Sequence, residues 1–219
     1  MGRMVMLDEI SDGRKYHKDS MVKIGCDGCN GKSICCHEMC DTIILDPYDI
    51  YELTKNLGIE FNDLLQGAIE LNVQDGVIMP NIKKQPHNNG CGYLDDAGRC
   101  SIHDFRPVFC RLFPLGRGYE DDNIYYVNQV AECHIDTSTK VKVKNWLSIE
   151  NIAKYEAYAL SWHKLIKKTK EMINNLSDDE VKNINLKFIN IFYLNPYDMN
   201  KSFYEQIDER IKLFLKQSS

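Results

Sequence analysis

Hydrophobic positions change their period near Thr139. Before that point, short apolar runs are interrupted by turn-forming residues. Beyond it, apolar residues recur at spacings of three, four or seven, as in long amphipathic helices. In the first part, residues 42–45 read as a short buried strand. Asp46 then supplies an N-cap and Pro47 a first-turn proline, so a helix is expected through about Leu57, with Gly58 as its C-terminal cap. Phe61, Leu64, Leu65, Ala68 and Ile69 share one face, which predicts a second helix over 61–72. Val77-Ile78-Met79 is a strand pattern ended by Pro80. Gly92-Tyr93-Leu94 and Arg99-Cys100-Ser101-Ile102 flank Asp95-Asp96-Ala97-Gly98, a hairpin turn that brings Cys91 and Cys100 together. Residues 123–130 are β-branched and aromatic enough for a further strand, delivering Cys133 near its end.

In the second part, Ser148 is placed to cap a long helix whose apolar stripe is Ile149, Ile152, Tyr155, Ala159, Trp162, Ile166 and Ile173. Ser177-Asp178-Asp179-Glu180 is a capping signature for the next helix, Asn195-Pro196 should end it, and a last helix is expected over 201–216. No internal repeat or low-complexity linker intervenes. These elements predict an α+β fold, a small cysteine-rich core of short strands and helices followed by a C-terminal helical region packed on it. The expected segments are an N-terminal stretch 1–22, a cysteine-rich domain 23–147 and the helical region 148–219.

With 219 residues and 43% hydrophobic composition, the chain can bury a sizeable core without disulfides. Residues 1–15 lack a basic stretch followed by an apolar one, so no secretory signal is recognised and a reducing, cytoplasmic location is expected. No run approaches the ~20 apolar residues of a membrane span, and the C-terminal Gln-Ser-Ser carries no prenylation box, so no membrane partner is expected. Charge is uneven, −9 over 1–136 against +4 over 137–219 within a formal net of −5. A nucleic-acid-binding module would surround its cysteines with basic residues, whereas this cysteine-bearing part is acidic, so nucleic acid is not expected as a partner. The lysines of the helical tail offer a solvated face or a surface on which another protein could dock.

Nine cysteines carry the chemistry. Five crowd together as Cys26-x2-Cys29-x5-Cys35-Cys36-x3-Cys40, and four follow as Cys91-x8-Cys100-x9-Cys110 and then Cys133. An odd count leaves one thiol over in any all-disulfide scheme. In a reducing compartment, closely spaced cysteines bind metal or do redox chemistry more often than they form permanent bridges. A Cys-x2-Cys step lets two thiolates face one ion, as in zinc ribbons and iron–sulfur proteins, and eight thiolates would fill two four-ligand sites. Side chains of adjacent Cys35 and Cys36 diverge on an extended backbone, so they can serve different irons or different sites. Cys40 fits the pattern least. Arg111 follows Cys110 directly and Arg106 lies about one helical turn before it. One guanidinium is thus placed to face the thiolates while the other bonds backbone or a carboxylate, and such neighbours tune a metal centre.

Taken together, the two cysteine groups and the run Arg106-Pro107-x2-Cys110-Arg111-x-Phe113-Pro114 resemble the bacterial cysteine-cluster family described as zinc- or iron-chelating domains (YkgJ-like, CxxCxxCC). Its pattern is C-x2-C, a CC pair, a single C, then C-x-I-Y-x-x-R-P-x-x-C-R-x-F-P and a final C. The resemblance covers about residues 23–147. It implies metal ligands at Cys26, Cys29, Cys35, Cys36, Cys91, Cys100, Cys110 and Cys133, with Arg106 and Arg111 as their companions. Cys40 has no counterpart. The x5 gap before Cys35 is longer than the family's, and His103 stands where a Tyr is usual, as an added ligand or as a neighbour of the ligands. The implied cofactor is an iron–sulfur cluster, of the 4Fe-4S kind, or zinc. The family also includes flagellin lysine N-methylases, considered to need a cluster and S-adenosylmethionine, so a lysine N-methyltransferase activity is a second expectation. No catalytic residue is identified, and no G-x-G-x-x-G, P-loop or Cys-x3-Cys-x2-Cys is present. A third expectation is a zinc-stapled module for protein interaction, folded by its metal.

Overall fold

The structure is a computed structural model that describes residues 11–24, 34–38, 42–86, 89–129 and 139–218. In chain order, the helices are α1 (Ile34–Glu38), α2 (Pro47–Leu57), α3 (Phe61–Gln66), α4 (Val108–Leu112), α5 (Val143–Leu147), α6 (Ile152–Ile173), α7 (Asp178–Ile189) and α8 (Phe203–Gln217). The strands are β1 (Met21–Lys23), β2 (Ile69–Gln74), β3 (Val77–Ile82), β4 (Leu115–Glu120), β5 (Asn123–Asn128) and β6 (Lys140–Lys142). They pair as separate antiparallel ribbons, β1 with β6, β2 with β3 and β4 with β5. The fold is α+β with a C-terminal helical region. The chain forms two compact units, Met1–Asn30 with Val108–Leu160 and Gly31–Pro107 with Ser161–Ser219.

In the first unit, β4 and β5 form a hairpin closed by Asp121-Asp122, both in the left-handed region at φ 45° and 63°, as a two-residue turn of this hand requires. The strand β4 carries no clear period in the sequence because Gly116 and Gly118 interrupt it. At Gly118 the Tyr125 ring of the partner strand occupies the space of a Cβ, so a side chain there would have to displace that ring. Along the other side of β5, Tyr16 exchanges both backbone bonds with Tyr126, at 2.7 and 2.8 Å. Ser148 does not cap the long helix. It ends α5 in the left-handed conformation, φ 51°, returning its N–H to Lys144 O, whereas an N-cap needs extended backbone. Asn151 takes that place, its Oδ1 accepting from Lys154 N, and α6 begins at Ile152.

In the second unit, the expected start of α2 is present in full. The Asp46 carboxylate accepts from the N–H groups of Tyr48 and Asp49, Asp49 answers to Asp46 N, and Gly58 closes the helix at φ 67°. The strand expected over 42–45 is reduced to one bridge, Ile44 with Asn81, flanked by Leu45 N to Pro80 O and Ile82 N to Ile43 O. Pro80 therefore does not end β3. Its carbonyl, and with it the nitrogen that lacks a hydrogen, faces Leu45 and away from β2, so no ladder bond is lost. The helix expected over 61–72 stops at Gln66, before Gly67, and β2 begins at Ile69. There Ile69 pairs with Ile82, and burial of both, 0% and 1% exposed, outweighs the helical stripe.

The C-terminal helices of this unit close over the β2–β3 hairpin. Asn185, buried on α7, accepts from Ile78 N at 2.7 Å and donates to Gly76 O at 2.9 Å, clasping the turn. Trp162, Phe188, Phe192 and Phe214 form an aromatic core with ring centroids 4.9 to 5.5 Å apart. Continuing α7, a π-helical turn over Asn190–Leu194 places Tyr193 so that its hydroxyl donates to Leu45 O at 3.1 Å. The chain leaves this turn at Asn195-Pro196, as expected, and Ser177 and Glu180 form the expected capping box of α7. Among the described residues, no helix is long and apolar enough to cross a membrane. Asn185→Ala would remove the part-buried partners of Ile78 N and Gly76 O and should lower stability by about 1–2 kcal/mol, read from the midpoint of urea unfolding.

Candidate metal centre

Cys35 and Cys36 sit in α1, the single turn Ile34–Glu38. On a helix, adjacent side chains diverge by about 100°, yet the Cys36 side chain still hydrogen-bonds Cys35. Cys91 and Cys100 lie on the opposite arms of a small hairpin held by one bridge, Leu94 with Cys100, and by Asp95 N to Arg99 O. The expected turn at 95–98 is present, with Gly98 at φ 71° and the Asp95 carboxylate accepting from Ala97 N and Arg99 N. Backbone pairing fixes this hairpin to the second unit. Lys84 bridges Cys91, Gly92 N donates to Lys83 O, and Cys91 N donates to Cys36 O at 2.7 Å, tying the hairpin to α1. Gly92 lies so close to Ala68 that a Cβ would stand 2.7 Å from Ala68 Cβ and 2.9 Å from Ala68 Cα.

Electrostatics tie the four thiols into one neighbourhood. The hydrogen bond from Cys36 pulls the Cys35 thiol down to about 6 against opposing burial, helped by backbone N–H groups and the Arg106 guanidinium. Burial pushes Cys100 above the ordinary thiol range, and the charge of Cys35 adds to this while the Ile102 N–H and Arg106 work against it. Between the two hairpin cysteines stands Tyr93. Its N–H lies 3.5 Å from Cys91 Sγ, and its phenol is pushed up to about 12 by burial first and then by the charges of Cys91 and Cys100. All four cysteines are half-buried, and Cys35 and Cys100 are free thiols. Sequence reading passed over Tyr93; its place between Cys91 and Cys100 in the hairpin pattern was the available signal.

The other predicted residues fall as follows. Arg106, just past a 3-10 turn over His103–Phe105, is the guanidinium that acts on Cys35 and Cys100. His103 is exposed, with its ring 3.8 Å from the Asp104 carboxylate, and burial and Arg106 hold its pKa below the ordinary value, which keeps the imidazole neutral near pH 7. Cys110 and Arg111 belong to the first unit, on α4. There Arg111 is buried and donates to Ser148 O at 3.2 Å, bonding backbone. Cys26, Cys29, Cys40 and Cys133 lie outside the described residues. Among the described residues, no three His, Cys, Asp or Glu side chains are grouped as ligands of one ion.

The four thiols of the second unit fit a thiophilic metal on their own chemistry. They are an all-sulfur donor set, one thiol is ionised near neutral pH, and a buried phenol beside them has no partner among the described residues. In the metal-free protein, Cys35 should alkylate with a midpoint near pH 6, whereas Cys100 should react only above the ordinary thiol range; iodoacetamide labelling followed by mass spectrometry at graded pH measures both. Gly92→Ala should cost about 1–3 kcal/mol of stability by overpacking against Ala68. It should also weaken metal uptake by displacing Cys91, and urea unfolding with metal titration reads the two effects.

Residues 25–143 match the family model "CxxCxxCC: Putative zinc- or iron-chelating domain", more than half of the chain. No curated protein and no solved structure matches the chain. The matched span takes in all nine cysteines, Arg106 and Arg111, and the chain belongs to the CxxCxxCC family of zinc- or iron-chelating domains.

Proposed function

We propose that this chain is a cytoplasmic metalloprotein whose thiolates hold iron as an iron–sulfur cluster, with zinc as the alternative ion at the same sulfurs. The observation that carries this reading is that the bond from Cys91 N to Cys36 O joins the turn of Cys35 and Cys36 to the hairpin of Cys91 and Cys100, with the Arg106 guanidinium acting on Cys35 and Cys100. The resemblance to the family also implies ligands at Cys26, Cys29, Cys110 and Cys133. When bound, a cluster supplies one-electron chemistry, whereas zinc supplies folding free energy.

The residues of the chain have separable parts in this. Cys35 offers a thiolate near neutral pH, so one ligand needs little deprotonation before metal arrives. Arg106 offsets the negative charge that accumulates as further thiols ionise. The Tyr93 N–H shares in the charge on Cys91 Sγ, a contact of the kind that sets cluster potential.

Iron, zinc and acid-labile sulfide, measured in anaerobically purified protein together with its visible spectrum, test the proposal. Brown protein with matched iron and sulfide is expected. Stoichiometric zinc in a colourless protein would replace the cluster reading with the zinc one, and protein without either metal would overturn both. Cys91→Ala should lower the metal content and Cys40→Ala should leave it unchanged, as read by elemental analysis.

A further inference from the structure

Three buried tyrosines of this protein have an acceptor for the hydroxyl, and the hydroxyl of a fourth, Tyr155, accepts from Arg117. Tyr193 donates to Leu45 O, Tyr197 to Phe192 O and Tyr126 to the Glu156 carboxylate, each at 3.1 Å. Tyr93 departs from this. Its side chain is buried, 9% exposed, and its hydroxyl oxygen is shut off from solvent with no hydrogen-bond partner among the described residues. A buried hydroxyl in that state is destabilising, and phenylalanine would fill the same space without the cost. A tyrosine here is explained by an acceptor that is not among the described residues.

Two thiols of the hairpin act on this phenol. Tyr93 is held on its backbone, its carbonyl accepting from both Ser101 N and Ser101 Oγ at 2.9 Å. Its N–H is directed at Cys91 Sγ, and the charges of Cys91 and Cys100 both act on its phenol. A protonated thiol is a weak acceptor, whereas a thiolate kept ionised by a metal carries negative charge and accepts strongly. A metal-bound thiolate of Cys91 or Cys100 would be such an acceptor.

We propose that the Tyr93 hydroxyl is a positioning donor of the metal centre, hydrogen-bonding a metal-bound sulfur and so holding the hairpin cysteines in their ligand geometry. The proposal rests on the metal-binding reading above. It gives Tyr93→Phe opposite effects in the two states of the protein. Without metal, the change removes an unsatisfied donor and leaves stability unchanged or raised. With metal, it removes a bond to a charged sulfur.

Cobalt(II) alone, added anaerobically to the metal-free 219-residue chain, provides the probe. Wild type and Tyr93→Phe are compared by three readouts: thermal midpoint without metal, cobalt affinity by chelator competition, and the sulfur-to-cobalt charge-transfer band. The expected result is an equal or higher metal-free midpoint for Tyr93→Phe, cobalt affinity lower by about ten-fold, and a band moved to longer wavelength because the sulfur has lost a donor. Tyr193→Phe is the control, since its partner Leu45 O is present throughout and it should lose stability equally with and without cobalt. Equal affinity and an unmoved band in Tyr93→Phe would overturn the proposal. So would an equal loss of stability in both states, which would place a water or another fixed group on the hydroxyl. Wild type that takes up no cobalt would overturn the metal reading itself, a failure distinct from wild type that binds while Tyr93→Phe behaves identically.

Discussion

The hydrogen bond from Cys91 N to Cys36 O joins the turn that carries one cysteine pair to the hairpin that carries the other. Bringing thiols together in this way sets an electrostatic problem, because each ionisation raises the cost of the next. The protein answers it in part. Cys36 donates to Cys35 and Arg106 stands by, so one thiolate is admitted near neutral pH, while Cys100, half-buried and facing that charge, is pushed above the ordinary thiol range. Further ionisation needs more positive charge than Arg106 alone supplies, and a bound cation is the form of it that thiolates select.

The hairpin owes its position to a chain of backbone contacts running back to the helical region of the same unit. Asn185 on α7 clasps the β2–β3 turn, and β3 leads on through Lys83 and Lys84 into pairing with Gly92 and Cys91. Close approach is what makes this rigid. Gly92 lies against Ala68 with no room for a side chain, and Pro80 stays within β3 because its nitrogen faces away from the ladder. The aromatic core around Phe188 and Phe192 stiffens α7 and the π-helical turn that follows, so Tyr193 reaches Leu45 at the entry to α2. Residues far from any cysteine in sequence thereby hold the cysteine hairpin in register.

Local chemistry was legible in the sequence wherever a few neighbouring residues decide the outcome. The Asp46-Pro47 start of α2, the Ser177 capping box and the turn at 95–98 rest on side chains that bond backbone within four residues, and the Gly58 end of α2 and the stop at Asn195-Pro196 rest on the backbone preferences of glycine and proline. The cysteine spacing and the Arg106 to Pro114 run likewise carried the family, because ligand type and spacing are written in the chain itself. Tertiary pairing decided the rest. Residues 69–72 have a helical stripe but become strand because Ile69 finds Ile82, the glycine-broken 115–120 is strand because Tyr125 packs on Gly118, and Ser148 ends one helix rather than starting another. The sequence predicts one arginine toward thiols and one toward backbone or a carboxylate, but that Arg106 takes the first part and Arg111 the second, and that the Tyr93 hydroxyl is unsatisfied among the described residues, could not be read in one dimension. Each depends on which distant groups share a buried space, and burial is what turns a charge or a lone hydroxyl into a strong constraint.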